Sequence, residues 1–573
     1  MRNKLWCYKN RGTDLEELNR FSAAAQIPLP IAQILKNRGI TDPHAARIFL
    51  KKPLEGIHNP FELPDMRLAA ERIKKAVEDG EKIVVYGDYD VDGVTSTVIL
   101  YSFLKKLGAN AEYYIPDRVS EGYGINIMAI NRIARGGAKL MVTVDCGVTA
   151  VGEVEFARTQ ALDVIITDHH TCKDELPRAV AVVNPKRPDS EYPFSELCGA
   201  GVAFKLVMAI AMEMGRPARE VFDEYSELAA VGTVADVVPL LDENRIIVER
   251  GLDVMRTGGN LGVHALLAVS GALERPINST AIAFCLAPRI NAAGRLGSSG
   301  TAVELLLADN AADSARLAAE LDSANRERQK TEQEIFAQAN ETLLKDPLFD
   351  KKKVMVIAGE GWHHGVIGIV ASRLCDRYYK PCILISYENG VGKGSGRSIA
   401  GFNLFDALTA CEEHLTNFGG HAMAAGLGIN ADEIAAFDTA INKYADTVLS
   451  EEDMLAKIDI DCRLRPETAS LGFAHALELL EPFGQSNEKP VFSILGARIT
   501  AIDTVGTENK HLRVRLSTGE HSFSAIGFSL GEYSAFFRRG DPVDAAFSLD
   551  VNKYMGSESV QLLLKDLKKH SPA

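Results

Sequence analysis

The feature that most constrains this chain is a pattern that occurs three times in its first third: a short, apolar, largely β-branched run that stops at an acidic residue. Lys82-Ile83-Val84-Val85-Tyr86 precedes Asp88, Leu140 to Val144 precedes Asp145, and Val164 to Thr167 precedes Asp168. Runs that are apolar on both faces fit strands buried inside a parallel sheet. Helical stretches separate them, such as Thr95 to Leu107 ending at Gly108, and this alternation predicts an α/β fold. Ligands of open α/β sheets gather beyond the carboxyl ends of the strands. All three acids fall at that edge, so residues distant in sequence are expected to converge on one site.

With 573 residues the chain exceeds what one hydrophobic core supports. The expected division is an N-terminal segment (1–60) packed on a first α/β lobe (61–310), a helix (311–346), a second lobe (347–455) and a β-rich tail (456–573). Asp313 or Ser314 caps the helix, which runs with mixed charge through Glu320, Arg326, Arg328 and Glu334 to about Lys345, before Asp346-Pro347. At about 1.5 Å per residue it would span roughly 45 Å. It reads either as a connector between lobes or as a surface helix. Lys353 to Ala358 and Cys382 to Ser386 read as strands around a helix from Gly365 to Tyr379. Glycines then punctuate Gly392 to Ser398 and Gly419 to Gly426, as in loops whose backbone approaches something closely. From Val491 onward, short alternating strands (Arg498 to Asp503, His511 to Leu516, Ser522 to Phe528, Val543 to Val551, Val560 to Leu564) predict a small β-barrel.

Composition narrows the function classes. Hydrophobic residues at 46% and charged residues at 24% describe a globular protein rather than a disordered one. The net charge of −14 argues against a generally basic, nucleic-acid-coating surface. Residues 490–573 nevertheless hold ten Lys/Arg against nine Asp/Glu, so the acid excess lies before them. No run of about 18 apolar residues exists and Met1 to Cys7 shows no apolar signal core, so a cytoplasmic protein without a membrane span is expected. The nine scattered cysteines include no C-x-x-C pair and read as reduced thiols rather than structural zinc ligands.

Gly87-Asp88-Tyr89-Asp90-Val91-Asp92-Gly93 places Asp88, Asp90 and Asp92 directly after the first run. Without cations these carboxylates would repel one another and raise each other's pKa, a conflict that a divalent metal removes. The plainer reading is an acidic turn capping the next helix. An EF-hand loop shares the opening spacing, but its twelfth position requires a bidentate glutamate and here holds Ile99. Thr167-Asp168-His169-His170 follows the third run. Adjacent histidines on a loop can face a metal and a substrate respectively, although His-His pairs also occur on surfaces by chance. With Asp145 the set combines imidazole and several carboxylates, which suits manganese or magnesium. Two such ions about 4 Å apart would activate water and steady a leaving oxygen, making hydrolysis of a phosphate ester the leading chemistry. Asp236, in the nearly all-apolar segment 229–240, is either a metal ligand or an exposed helix end. The segments Arg289-Ile290-Asn291-Ala292-Ala293-Gly294-Arg295 and Gly394-Ser395-Gly396-Arg397 set guanidinium beside small residues, as phosphate clasps do and as ordinary turns also can.

Together these residues resemble the DHH phosphoesterase superfamily, whose naming triplet stands here as Asp168-His169-His170. The 88–93 motif, Val144-Asp145-Cys146-Gly147, the triplet and Ala235-Asp236 occur in the superfamily's order. Gly361-Trp362-His363-His364-Gly365 and Gly419-Gly420-His421 resemble its DHH-associated substrate domain. Length, the 289–295 segment and Pro482-Phe483-Gly484 point to the superfamily's exonuclease branch. The position four residues before the first motif aspartate, a histidine in many relatives, is Val84 or Tyr86 here, which disfavours a simple pyrophosphatase.

The resemblance implies two α/β lobes, a DHH catalytic domain and a DHH-associated domain, joined by a long helix and followed by a C-terminal OB-like barrel. It implies a 5′→3′ exonuclease specific for single-stranded DNA that releases 5′-mononucleotides in recombination and repair, with two Mn²⁺ or Mg²⁺ ions. Asp88, Asp90, Asp92, Asp145, His169 and Asp236 would furnish the metal shell. Asp168 would be ligand or support, and His170 would contact the scissile phosphate. Arg289, Ser395 and Arg397 would hold the 5′ phosphate, with Asn291, Arg295, His364, Arg373 and His421 as further substrate contacts. In the barrel, Arg513, Arg515, Arg538 and Lys553 would track phosphates, while Phe536, Phe537 or Tyr554 would either stack on bases or fill the barrel core. Implied partners are single-stranded-DNA-binding protein and a RecQ-like helicase, with the enzyme a monomer. The competing expectations are a phosphodiesterase for short oligonucleotides or cyclic dinucleotides and, less favoured because every metal carboxylate is retained, a silent DNA-binding scaffold.

Overall fold

The structure, a computed structural model, describes residues 4–117, 121–122, 124–296, 300–554 and 556–571; the side chains of Arg295 and Tyr554, two of the expected substrate contacts, lie outside the described residues. The chain forms two compact units. One holds residues 9–325, 461–528 and 538–573, and the other residues 1–8, 326–460 and 529–537.

The larger unit is built on a five-stranded parallel sheet of β1 (Ile83–Tyr86), β2 (Ala111–Tyr114), β3 (Leu140–Val144), β4 (Asp163–Thr167) and β5 (Ala181–Val183), in the order β2-β1-β3-β4-β5. Both faces are covered, which explains the unbroken apolar runs. Ile83, Val85, Leu140, Val142 and Ile165 enter one core, and Val84, Tyr86, Met141 and Ile166 enter the other. The first core is packed by helices α1 (Val91–Lys106), α2 (Gly199–Glu213) and α3 (Ala218–Ala235). Helix α1 begins four residues before the sequence signal because Asp90 caps it, its carboxylate accepting from the Gly93 N–H at 3.0 Å. The acidic turn is therefore a cap as well as a cluster. Helices α4 (Asp242–Thr257) and α5 (Ala287–Leu296) follow.

Helix α6 (Ala311–Lys345) is continuous over 35 residues. Leu317, Ala318 and Leu321 belong to the core of the larger unit, and Ile335, Ala339 and Leu343 to that of the smaller one. These two apolar patches answer the choice between connector and surface helix in favour of the connector.

In the smaller unit, β6 (Met355–Glu360), helix α7 (His364–Tyr378), β7 (Cys382–Glu388), β8 (Val391–Arg397), β9 (Leu415–Gly420) and β10 (Ala424–Asn430) form a mixed sheet in the order β9-β10-β8-β7-β6. The first glycine-punctuated segment, expected as a loop, is strand β8 up to Arg397, and the second spans the end of β9, residues 421–423 between strands, and the start of β10. The reason is steric: a Cβ on Gly394 would stand 2.8 Å from Leu427, and one on Gly396 2.7 Å from Leu404. Glycine makes room for those side chains on one face and leaves Lys393, Ser395 and Arg397 on the other. A second correction concerns the N-terminus. Leu5–Tyr8 pairs in parallel with Lys457–Ile460 inside this smaller unit, whereas the helices Leu15–Ala25, Leu29–Asn37 and Pro43–Lys51 belong to the larger unit with the five-stranded parallel sheet.

The tail closes as expected into a barrel of β11 (Phe492–Val505), β12 (His511–Ser517), β13 (Ser522–Gly527), β14 (Pro542–Tyr554) and β15 (Ser557–Lys569), in the order β11-β12-β13-β15-β14 with β14 returning to β11. Leu512, Val514 and Leu516 point inward and Arg513 and Arg515 outward, the period of two that made the strand legible. The segment that leads into the barrel is held by Arg245 of α4. Its guanidinium donates to the carbonyls of Phe49 (2.9 Å), Leu479 (3.3 Å), Glu481 (2.5 Å) and Pro482 (3.2 Å) and lies 3.9 Å over the Phe49 ring. Burial pushes this guanidinium below its ordinary pKa. Arg245→Ala would strand those carbonyls and leave a cavity, so it is expected to cost about 3 kcal/mol or more, read as a lower urea midpoint. An unchanged midpoint would contradict this.

Candidate metal centre

The carboxyl edge of the sheet gathers the acids as anticipated. Asp88 follows β1 and Asp145 follows β3, each 2% exposed, and Asp168-His169-His170 follows β4. Asp236 reaches the same place as the C-cap of α3. Asp145 and Val237 both adopt left-handed backbone, at φ 60° and 61°. For side-chain-bearing residues that geometry costs on the order of 1–3 kcal/mol, a strain typical of functional sites.

Two ligand sets result. The ligand atoms of Asp88, Asp90 and Asp145 lie within 4.8 Å of one another, as do those of Asp92, His169 and Asp236. Asp145, His169 and His170 form a further set of the same dimension that joins the two. His169 Nε2 is 3.2 Å from Asp145 Oδ1, 3.6 Å from Asp236 Oδ2 and 3.8 Å from Asp92 Oδ2, yet neither ring nitrogen makes a hydrogen bond. Asp145 Oδ1 is likewise buried without a hydrogen-bond partner. A buried imidazole surrounded by three carboxylates and bonded to none of them is a donor set that a divalent cation satisfies.

The titration behaviour has the same cause. Burial, then repulsion by Asp92, Asp90, Asp168 and Asp236, raises the Asp145 carboxyl well above its ordinary value. Burial and Asp90 push Asp92 to about 6, and burial and Asp92 push Asp236 to about 7. Burial lowers His169, favouring the neutral ring that ligates metal.

Asp168 behaves differently. Burial works to raise it, but hydrogen bonding wins and its pKa is lowered. Its Oδ1 accepts from the N–H groups of His169 (2.7 Å) and His170 (3.1 Å) and lies 2.7 Å from His170 Nδ1, while Oδ2 accepts from the Val148 N–H at 2.9 Å. It is thus built to orient the two histidines. Against burial, the same bond raises His170, whose side chain is 45% exposed.

Sequence reasoning missed what holds Asp92. The first N–H groups of α2 donate to it, Gly199 at 2.6 Å and Ala200 at 2.8 Å, with help from the Cys198 thiol. A Cβ on Gly199 would lie 2.5 Å from the Asp145 Cβ, and one on Gly232 2.7 Å from Asp92 Oδ1. The small-residue run Cys198-Gly199-Ala200-Gly201 was the available signal.

Several expected substrate contacts are otherwise engaged. Arg289 forks onto Asp322 of α6 (2.9 and 2.8 Å), so an incoming phosphate there would compete with a carboxylate. Arg373 pairs with Glu332 (2.8 Å) over the Phe336 ring and ties α7 to α6. Asn291 is half-buried in α5. In the smaller unit, Arg397 touches Ser395 Oγ at 3.3 Å and forms no ion pair among the described residues; a Cβ on Gly368 of α7 would approach both Ser395 and Arg397. His364 opens α7, capped by His363, and His421 is exposed between β9 and β10. On the barrel, Arg513 pairs with Asp503 and Lys553 with Glu558, whereas Arg515 and Arg538 are exposed. Phe537, 1% exposed, is a core residue, and Phe536 is 47% exposed. All nine cysteines are free, and among the described residues no helix is long and apolar enough to cross a membrane.

A parallel sheet that delivers carboxylates and the imidazoles of His169 and His170 to its carboxyl edge fits a DHH-type metal-dependent phosphoesterase. Residues 82–233 match the DHH family N-terminal domain, 351–447 the DHHA1 domain and 460–566 the RecJ OB domain. The single-stranded-DNA-specific exonuclease RecJ of Bacillus subtilis is 39% identical over 96% of this chain and 70% of its own length, and that of Dickeya dadantii 34% identical over 94% and 96%. The crystal structure of RecJ in complex with Mn²⁺ from Thermus thermophilus superposes with a TM-score of 0.85 at 31% identity, covering 100% of this chain and 81% of that one. The Mg²⁺ complex from the same organism gives 0.78 at 30% identity, over 99% and 79%. The chain belongs to the RecJ family.

Asp92, Asp145 and Asp236 hold protons more tightly folded than unfolded, where carboxyls titrate near 4. Cation-free protein therefore loses stability as pH rises from about 4 through about 7, and a bound cation displaces those protons. Thermal unfolding with EDTA or Mn²⁺ is expected to show a larger Mn²⁺-induced rise in midpoint at pH 8 than at pH 5. A rise independent of pH would contradict the carboxylate assignment.

Proposed function

We propose that this protein is a single-stranded-DNA-specific 5′→3′ exonuclease that releases 5′-mononucleotides and serves DNA recombination and repair. The observation that carries the reading is the buried His169 ring, within 3.8 Å of three carboxylates and hydrogen-bonded to none of them, in a chain that also bears the DHH-associated and OB domains. Asp88, Asp90 and Asp145 hold one cation, and Asp92, His169 and Asp236 the other, with Asp145 near both sets. Bound there, two divalent ions supply water activation and stabilise charge on the departing oxygen.

The chain's own residues supply the rest. Asp168 fixes Nδ1 of His170, which leaves Nε2 to contact the scissile phosphate and pass a proton to the leaving 3′ oxygen. The raised pKa of His170 suits a donor. Ser395 and Arg397 bind the 5′ phosphate, supported by a guanidinium without a carboxylate partner beside the first turns of α7. Asn291, Arg295, His364 and His421 are subsidiary strand contacts, and Arg289 is one if phosphate displaces Asp322. Single-stranded-DNA-binding protein and a RecQ-like helicase as partners, a cytoplasmic location and a monomeric state complete the reading.

A long single strand labelled at either end, incubated with Mn²⁺ or Mg²⁺, is expected to release 5′-labelled mononucleotide at once while the 3′-labelled strand shortens progressively. Survival of the long strand alongside cleavage of dinucleotides would transfer the assignment to a small-substrate phosphodiesterase. Asp145→Ala and His169→Ala should abolish hydrolysis yet retain strand binding. His170→Ala should lower the rate by about 10²–10⁴-fold, the range for a lost general acid. Full activity of a contamination-free Asp145→Ala preparation would overturn the site.

A further inference from the structure

The loop that follows the metal ligand Asp236 is held by a segment nearly 250 residues further along the chain, just before the barrel. After Asp236 the chain turns through Val237 in left-handed backbone, and the next residues have no regular structure until α4 begins at Asp242. Two contacts fix this loop. The Asn244 side-chain amide donates to the Pro239 carbonyl at 3.1 Å, and the Leu240 N–H donates to the Gln485 carbonyl at 2.9 Å. The Leu240 side chain, 2% exposed, closes directly on Gly484: a Cβ there would stand 2.5 Å from Leu240 Cδ1 and 2.9 Å from Cγ.

Gly484 has no positive φ, so glycine is required there by contact rather than by backbone conformation. The segment is itself rigidly placed. Asn487 donates to the carbonyls of Leu480 (2.9 Å) and Pro482 (2.7 Å), Ser279 Oγ to that of Phe483 (2.5 Å), and Arg245 and Lys52 to that of Glu481. The Pro482-Phe483-Gly484 motif thus meets the catalytic domain at the loop carrying a ligand, four residues from that ligand.

We infer that Gly484 and Gln485 are positioning residues for Asp236: the segment entering the barrel sets the Asp236 carboxylate, and through it the affinity of the cation site formed with Asp92 and His169. The inference rests on the metal-centre reading. Ligand-supporting contacts of this kind typically alter metal affinity about 10–100-fold when broken.

The test reads Mn²⁺ binding directly, by electron paramagnetic resonance or calorimetry, on full-length protein. Gly484→Ala is expected to weaken Mn²⁺ binding about tenfold, with the affinity for a single strand in EDTA unchanged. Gly484→Ala combined with Leu240→Ala, which restores the space, should return Mn²⁺ affinity to within about threefold of wild type, a recovery that general loss of packing would not give. Should Gly484→Ala fail to fold, Leu240→Ala alone, which loosens the loop without a clash, carries the same expectation of weakened binding. Folded variants that bind Mn²⁺ as wild type does, or a folded double variant without recovery, would overturn the inference. If wild type and Asp145→Ala bind Mn²⁺ equally, the metal-centre reading fails instead.

Discussion

The structure depends on an electrostatic conflict held in place by the fold. Asp92 and Asp145 are buried beside His169, with Asp236 and Asp90 close enough to push their protonation upward. No apolar core would gather such groups for its own stability, because desolvation and like-charge repulsion both oppose it. The sheet's parallel topology brings β1, β3 and β4 side by side, so their carboxyl ends meet. Strained turns at Asp145 and Val237 then aim individual side chains, and the first N–H groups of α2 grip Asp92. The apolar mass of the larger unit offsets this cost, at about 1.5–3 kcal/mol for each fully buried large aliphatic side chain.

Much of this was legible in the sequence. The runs ending at Asp88, Asp145 and Asp168 predicted buried parallel strands because both faces were apolar, and the alternation in His511–Ser517 predicted a barrel strand because only one face was. The convergence of the carboxylates was readable because parallel strands that each end at an acid bring those acids to one sheet edge. The segment from Gly392 to Ser398 was misread because glycine signals loops by default, whereas here Gly394 and Gly396 clear space within a sheet for Leu427 and Leu404. The occupied state of Arg289 and Arg373 was invisible for another reason: their partners, Asp322 and Glu332, lie on a helix whose polar residues look uniformly solvated in sequence and mostly are exposed, yet these two are buried.

The charge distribution reconciles an acidic chain with a polyanionic substrate. A net charge of −14 would repel DNA if spread evenly, but several of the carboxylates are gathered at the metal centre, where bound cations would neutralise them. Arg397, Arg515 and Arg538 have no ion-pair partner among the described residues, whereas Arg513 and Lys553 are paired with Asp503 and Glu558.

The guanidinium of Arg245 bears on how the molecule is made. It is buried within the catalytic domain, forms no ion pair among the described residues, and is satisfied chiefly by carbonyls of a segment more than 230 residues downstream. During synthesis the sheet and its helices leave the ribosome long before that segment exists, so the emerging domain carries a cation with nowhere to bury it. The catalytic half is therefore completed only when the stretch around Glu481 arrives, and a chain cut short ahead of the barrel is marked as unfinished by an unsatisfied charge in its interior.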